Sequence, residues 1–253
     1  MFSNVIVKKP GKSYVEGLTT SDLGTPNYEE LLVQHEAYVE ALKTCGVEVT
    51  YLEADEAFPD STFVEDTAVL TKDFAVVSNP GAASRNGEIV EMEQVLKGLF
   101  EKIYYIESPG TLDGGDVLQA DNTFYIGISE RTNQQGAEQL KSILEKEDYV
   151  AHIVPLKEFF HLKTGIAYLG DNKMVLAGEF VEDELFASYD KIVIPKEDEY
   201  SANCILVNDF VIIPAGYPAT KQKIEQAGYS VIELSMSEFQ KQDGGLSCLS
   251  LRF

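Results

Sequence analysis

Five short apolar runs recur along this 253-residue chain in one repeated context, and that recurrence restricts the fold more than any single motif. They are 4–7, 74–77, 124–128, 173–176 and 210–213, rich in β-branched and aromatic residues, and each reads as a buried strand. A segment with helical spacing follows each: 27–44, 88–101, 132–147, 179–188 and 218–227. A second short strand comes after every helix, at 47–51, 103–106, 152–154, 191–194 and 231–234. A polar turn then opens into a third, within 63–70, 112–118, 161–168, 202–207 and 246–251. No Pro- or Ser-rich linker interrupts the series, so one domain spanning 1–253 is expected. The expected class is α/β: a five-bladed, pseudo-symmetric propeller of ββαβ-type repeats. Short units gain stability by sharing a core. Rotation about a common axis would bring equivalent loops together.

Bulk properties mainly exclude. A formal charge of −22 repels phosphate backbones and argues against a nucleic-acid partner. It would favour a small cationic partner. No apolar run approaches the length of a membrane helix, so no membrane partner is expected. Three scattered cysteines make neither a disulfide framework nor a metal cluster, and a reduced, cytoplasmic setting is expected.

One step of the repeat carries unusual chemistry. The turn into the third strand holds Asp60, Glu65 and Asp66 in the first unit, Asp113 and Asp116 in the second, His161 in the third, Asn203 in the fourth and Cys248 in the fifth. Successive members 65, 113, 161, 203 and 248 are 42 to 48 residues apart. Taken singly they are ordinary. Cys248 could be one more small apolar side chain, and Asp113-Gly-Gly-Asp116 a turn. Their common phase changes the reading. A cysteine attacks as thiolate, and a nearby imidazole can lower its pKa or move its proton. Surrounding carboxylates disfavour an anion and match the planar donors of a guanidinium. The pattern points to cysteine-dependent attack on an amidine-type carbon. Cys45 and Cys204 read as structural.

Strings across the whole chain carry a resemblance: Asp60 to Asp66, Asn79 to Arg85, Thr111 to Leu118, Gly127 to Asn133, His161-Leu-Lys163, and Asp243-Gly-Gly-Leu-Ser-Cys248. In this order they resemble the dimethylarginine dimethylaminohydrolases of the guanidino-modifying, or pentein, superfamily. The resemblance implies hydrolysis of N-omega-methylated arginines to citrulline and methylamine or dimethylamine. Cys248 would be the nucleophile, His161 the proton donor and later the base, with Asp113 beside it. Asp60, Glu65 and Asp66 match substrate-binding positions. Arg85 and Arg131 match arginines that hold the α-carboxylate. Leu18, in a first loop expected to act as a lid, and Gln242 match positions whose backbone meets substrate. Asp243 would support the substrate's charged end or the turn. Two departures stand out: Asp113 occupies a position that is glutamate in some bacterial relatives, and Gln242 one that is aliphatic elsewhere.

Other guanidine or ureido hydrolases share this chemistry. Arginine deiminases usually carry a helical insertion absent here, and their motif continues His-Leu-Asp. A non-catalytic binding protein resembling the ribosome anti-association factors would lack the Cys/His pair. No cofactor and no metal is expected. Oligomeric state is not legible, and a homodimer is among the states allowed.

Overall fold

The computed structural model describes residues 1–253. It contains five three-stranded sheets of one pattern. In each, the middle strand pairs parallel with the strand after its helix and antiparallel with the third. The parallel partner requires a crossover, which the intervening helical or turn segment supplies.

The chain packs as two compact units. One comprises residues 1–64 and 165–252 and holds three sheets. Its first sheet joins the two ends of the sequence. Asn4–Lys8 pairs with Glu48–Leu52 on one side and with the closing strand Leu251–Arg252 on the other, Ile6 opposite Leu251. The helix Tyr28–Thr44 packs its apolar stripe, Leu31, Tyr38, Val39 and Leu42, into this unit's core with Val5, Phe63 and Leu249. Asn27 starts that helix by accepting the Glu30 amide, and Glu29 and Glu30 lie in the first turn, where the helix dipole favours negative charge.

The second unit, residues 65–164 with Phe253, holds two sheets. Ala75–Val77 and Thr123–Ile128 are their middle strands. Val76, Phe124 and Ile126 pack with Leu140 and Leu144 of the helix Gln134–Lys146. No helix of the chain is long and apolar enough to cross a membrane.

Two expectations need correction. The helix at 179–188 is replaced by two 3-10 turns, Gly178–Phe180 and Glu184–Phe186. Glu179 would face Glu182 and Asp183 as like charges three and four residues on, and Asp183 caps the Leu185 amide instead of continuing a helix. The second helix ends at Lys97, not 101, with Gly98 as its cap. The third strands are also shorter than expected. Each starts only after a tight helical or 3-10 turn, as in Val64–Thr67 before Ala68–Leu70.

Candidate active site

Those turns carry the candidate site residues. In the second unit, Val64–Thr67 presents Glu65 and Asp66, and Gly114–Asp116, entered through Asp113, presents two more carboxylates. Leu162–Gly165 follows directly on His161. Asp66, Asp113, Asp116 and His161 come from three repeats and are all buried. One donor atom each from Asp66, Asp113 and His161 fall within 4.8 Å of one another.

Each carboxylate has named partners. His161 Nε2 lies 3.4 Å from Asp113 Oδ2 but makes no well-directed hydrogen bond, so the contact is chiefly an ion pair. Asp113 Oδ1 accepts the Gly81 amide at 2.8 Å. Asp66 Oδ1 accepts the Gly115 amide at 2.8 Å, and its Oδ2 takes Arg85 Nη1 at 2.6 Å. Asp116 accepts the Leu162 amide at 3.0 Å and the Ser129 hydroxyl at 2.6 Å. Glu65 pairs with Lys163 at 2.6 Å. A Cβ on Gly115 would sit 2.6 Å from His161 Nδ1, so only glycine lets the second repeat's turn reach the imidazole.

The electrostatics follow from this packing. Burial favours the neutral imidazole of His161, but Asp116 first, then Asp113 and Asp66, outweigh it and push its pKa up to about 9. Burial also opposes the charge on Asp66, and the Arg85 guanidinium overcomes it, holding that carboxyl below its usual range. Asp116 shifts upward because burial dominates there, although the donors on both of its oxygens favour the carboxylate. The pocket therefore keeps an imidazolium at neutral pH. Arg85 and the His161 imidazolium already compensate Asp66 and Asp113, a poor setting for a divalent ion. Arg131 places its guanidinium carbon 5.2 Å from the centre of the Phe160 ring, which in turn lies 4.5 Å from the His161 ring.

In the first unit, Cys248 sits in the 3-10 turn Ser247–Leu249, just ahead of the closing strand. Its Sγ accepts the Gly245 amide at 3.4 Å. Asn203 binds the Ser247 backbone and hydroxyl. Gly245 is required here, since its Cβ would lie 2.5 Å from the Asn203 side chain. Asp60 is buried and accepts the Leu18 amide at 3.0 Å, and Leu18 itself is exposed. Asp243 accepts from the Thr20 amide and from the hydroxyls of Thr19 and Thr20, so it clasps the first loop. Gln242 points inward and donates to the Tyr14 carbonyl at 3.2 Å.

Sequence reasoning missed Glu88 and the partnering roles of Lys163 and Asn203. Asn203 shares the repeat phase, and that phase is the signal that points to it. Glu88 belongs to a helix outside that phase, and its three-residue spacing from Arg85 was the one available signal.

The chain matches the family model for "N,N dimethylarginine dimethylhydrolase, eukaryotic" over residues 24–241. It is 49% identical over 254 residues to the N(G),N(G)-dimethylarginine dimethylaminohydrolase of Pseudomonas aeruginosa, covering 100% of both chains. A solved structure of the Pseudomonas aeruginosa enzyme, a cysteine-to-serine variant complexed with citrulline, superposes with a TM-score of 0.99 at 48% identity over 100% of both chains. A histidine-to-glycine dimethylarginine dimethylaminohydrolase carrying an S-methyl-L-thiocitrulline adduct matches equally well, at 0.99 and 48%. The five-sheet α/β architecture expected from the repeat is that of these structures. By sequence and fold the chain belongs to the dimethylarginine dimethylaminohydrolase family of the pentein superfamily.

Proposed function

We propose that this chain hydrolyses N-omega-methylated arginines to citrulline and methylamine or dimethylamine, with Cys248 as nucleophile and His161 as proton donor and then base. The full-length 49% identity to the Pseudomonas aeruginosa enzyme carries the reading. The protonated, carboxylate-ringed His161 supports it. So do relatives whose cysteine or histidine was replaced and which hold citrulline or a thiocitrulline adduct.

In this mechanism the Cys248 thiolate adds to the guanidinium carbon, forming a C–S bond. His161 gives its proton to the methylated nitrogen, and the C–N bond breaks with release of the amine. The product is a thiouronium. Neutral His161 then takes a proton from water as the oxygen adds to the same carbon. The C–S bond breaks, Cys248 leaves as thiolate, the oxygen's remaining proton passes to the released amine through solvent, and that oxygen becomes the ureido oxygen of citrulline. Asp113 holds the imidazole. Asp60, Glu65 and Asp66 bind the guanidinium, while Arg85 and Arg131 serve the α-carboxylate. Leu18 and Gln242 contribute backbone, and Asp243 holds the loop. No cofactor takes part. Residues 1–253 are read as one catalytic domain, cytoplasmic in setting, with a homodimer among the states allowed.

The test is to incubate the protein with asymmetric dimethylarginine, monomethylarginine, arginine and citrulline, measuring citrulline, ammonia and amine. Citrulline and amine from the methylated substrates are expected. Undiminished turnover by Cys248→Ser would overturn the mechanism, and activity confined to unmethylated arginine would overturn the substrate.

A further inference from the structure

Arg85 lies buried between two carboxylates. Its Nε donates to both oxygens of Glu88 at 3.1 Å, and its Nη2 to Glu88 Oε2 at 2.8 Å. Nη1 of the same planar group donates to Asp66 Oδ2 at 2.6 Å. Three nitrogens are thus used in two directions. A guanidinium gripped along one edge by a carboxylate cannot rotate, so the direction of its remaining donors is set. Glu88 opens the helix Glu88–Lys97 and is itself buried, so the grip is anchored in regular structure. Asp66, fixed by Arg85 on one oxygen and by the Gly115 amide on the other, is held facing His161.

We propose that Glu88 is a positioning residue for the reaction: it fixes Arg85, and Arg85 fixes Asp66 against the Gly115 turn beside His161. This role rests on the proposed activity, and it is compatible with further Arg85 donors meeting the substrate's α-carboxylate. Glu88 touches no reacting atom and works through two side chains. Its charge matters as well as its shape, because it balances Arg85. Without it a negative charge is lost beside the guanidinium, Asp66 and Asp113 are left to balance Arg85, and His161 feels a more positive surrounding. The other charged groups around His161 are Asp113 and Asp116 from the second repeat's turn, Lys163 on its own turn, and Arg131 beyond the Phe160 ring.

The experiment is an NMR titration of the three histidines, assigned by substitution, in the wild type, Glu88→Gln and Glu88→Asp. Activity and thermal unfolding are measured on the same samples. In Glu88→Gln the His161 midpoint is expected to fall by about one pH unit, the other two histidines staying in place. In Glu88→Asp, which keeps the charge but loses reach, His161 is expected to titrate as in the wild type while kcat falls about tenfold at little changed KM. An unmoved His161 midpoint in a folded Glu88→Gln protein overturns the proposal, since a merely structural ion pair lowers only the melting temperature. If the glutamine variant does not fold, the aspartate variant decides, and wild-type kcat there overturns the proposal. The titration needs no substrate, so its outcome is separate from whether methylarginine is the substrate.

Discussion

Asn203 holds Ser247 through both ends of its amide: Oδ1 accepts the Ser247 amide at 2.9 Å, and Nδ2 donates to the Ser247 hydroxyl at 3.1 Å. Both residues are buried, and the next residue is Cys248. Removing one partner leaves a buried polar group unsatisfied, at about 1–3 kcal/mol. Asn203→Ala is expected to lose stability of that order in urea unfolding. It should also lose about tenfold or more in kcat, because the thiol's turn is released.

Gly115 is a second point of close approach. The side chain of Gly115→Ala would require His161 Nδ1, 2.6 Å away, to shift. Asp66 Oδ1, at 3.0 Å, blocks the other direction. We expect a folded protein with a kcat loss on the order of a hundredfold. Circular dichroism and steady-state kinetics on one preparation check both halves of the expectation.

Asp243 adopts φ = 56°, in the left-handed region that Asp and Asn tolerate better than most residues. Asp243→Asn keeps that backbone and removes the charge that accepts from Thr19 and Thr20. Faster amide exchange at residues 18–22 is expected, with a KM increase of several-fold and a melting temperature within a few degrees of wild type. A change in melting temperature alone would show that the clasp serves only folding.

The buried histidines give opposite pH dependences. His161, raised to about 9 by its carboxylates against the effect of burial, contributes stability that is complete below about pH 6.5 and is lost as pH rises through 9. His35, packed against Tyr51 and Phe239, is pushed down to about 4 by burial. The unfolded chain therefore takes up its proton first, and stability falls between pH 6.5 and 4. His35→Phe should flatten that acid decline by up to about 1.4 kcal/mol per pH unit, measured as urea midpoints at pH 5 and 7.

Gln242 presents opposing terms. Its side chain donates to the Tyr14 carbonyl, while its buried Oε1 has no hydrogen-bond partner. Gln242→Leu loses a hydrogen bond worth about 1 kcal/mol and also removes an unsatisfied acceptor of similar cost. A melting temperature within a few degrees of wild type is expected, with substrate preference intact if only the backbone at this position meets substrate.

The repeat was legible in the sequence because strand period, turn residues and spacing are local properties. Asp66, Asp113, His161 and Cys248 could be picked from their shared phase. The segment 179–188 has helical spacing of its apolar residues but forms 3-10 turns, because Glu179 would oppose Glu182 and Asp183 and Asp183 caps Leu185. The partners of the site residues were not legible. Arg85 reads equally well as a surface cation or a carboxylate receptor, and only packing shows it enclosed by Glu88 and Asp66. Local spacing and pattern were enough to set the five-unit α/β architecture and to single out the candidate site residues. Their charge states and orientation come from tertiary packing, because carboxylates approaching from different repeats outweigh burial to set His161 near pKa 9, and Arg85 with the Gly115 amide locks Asp66 in place.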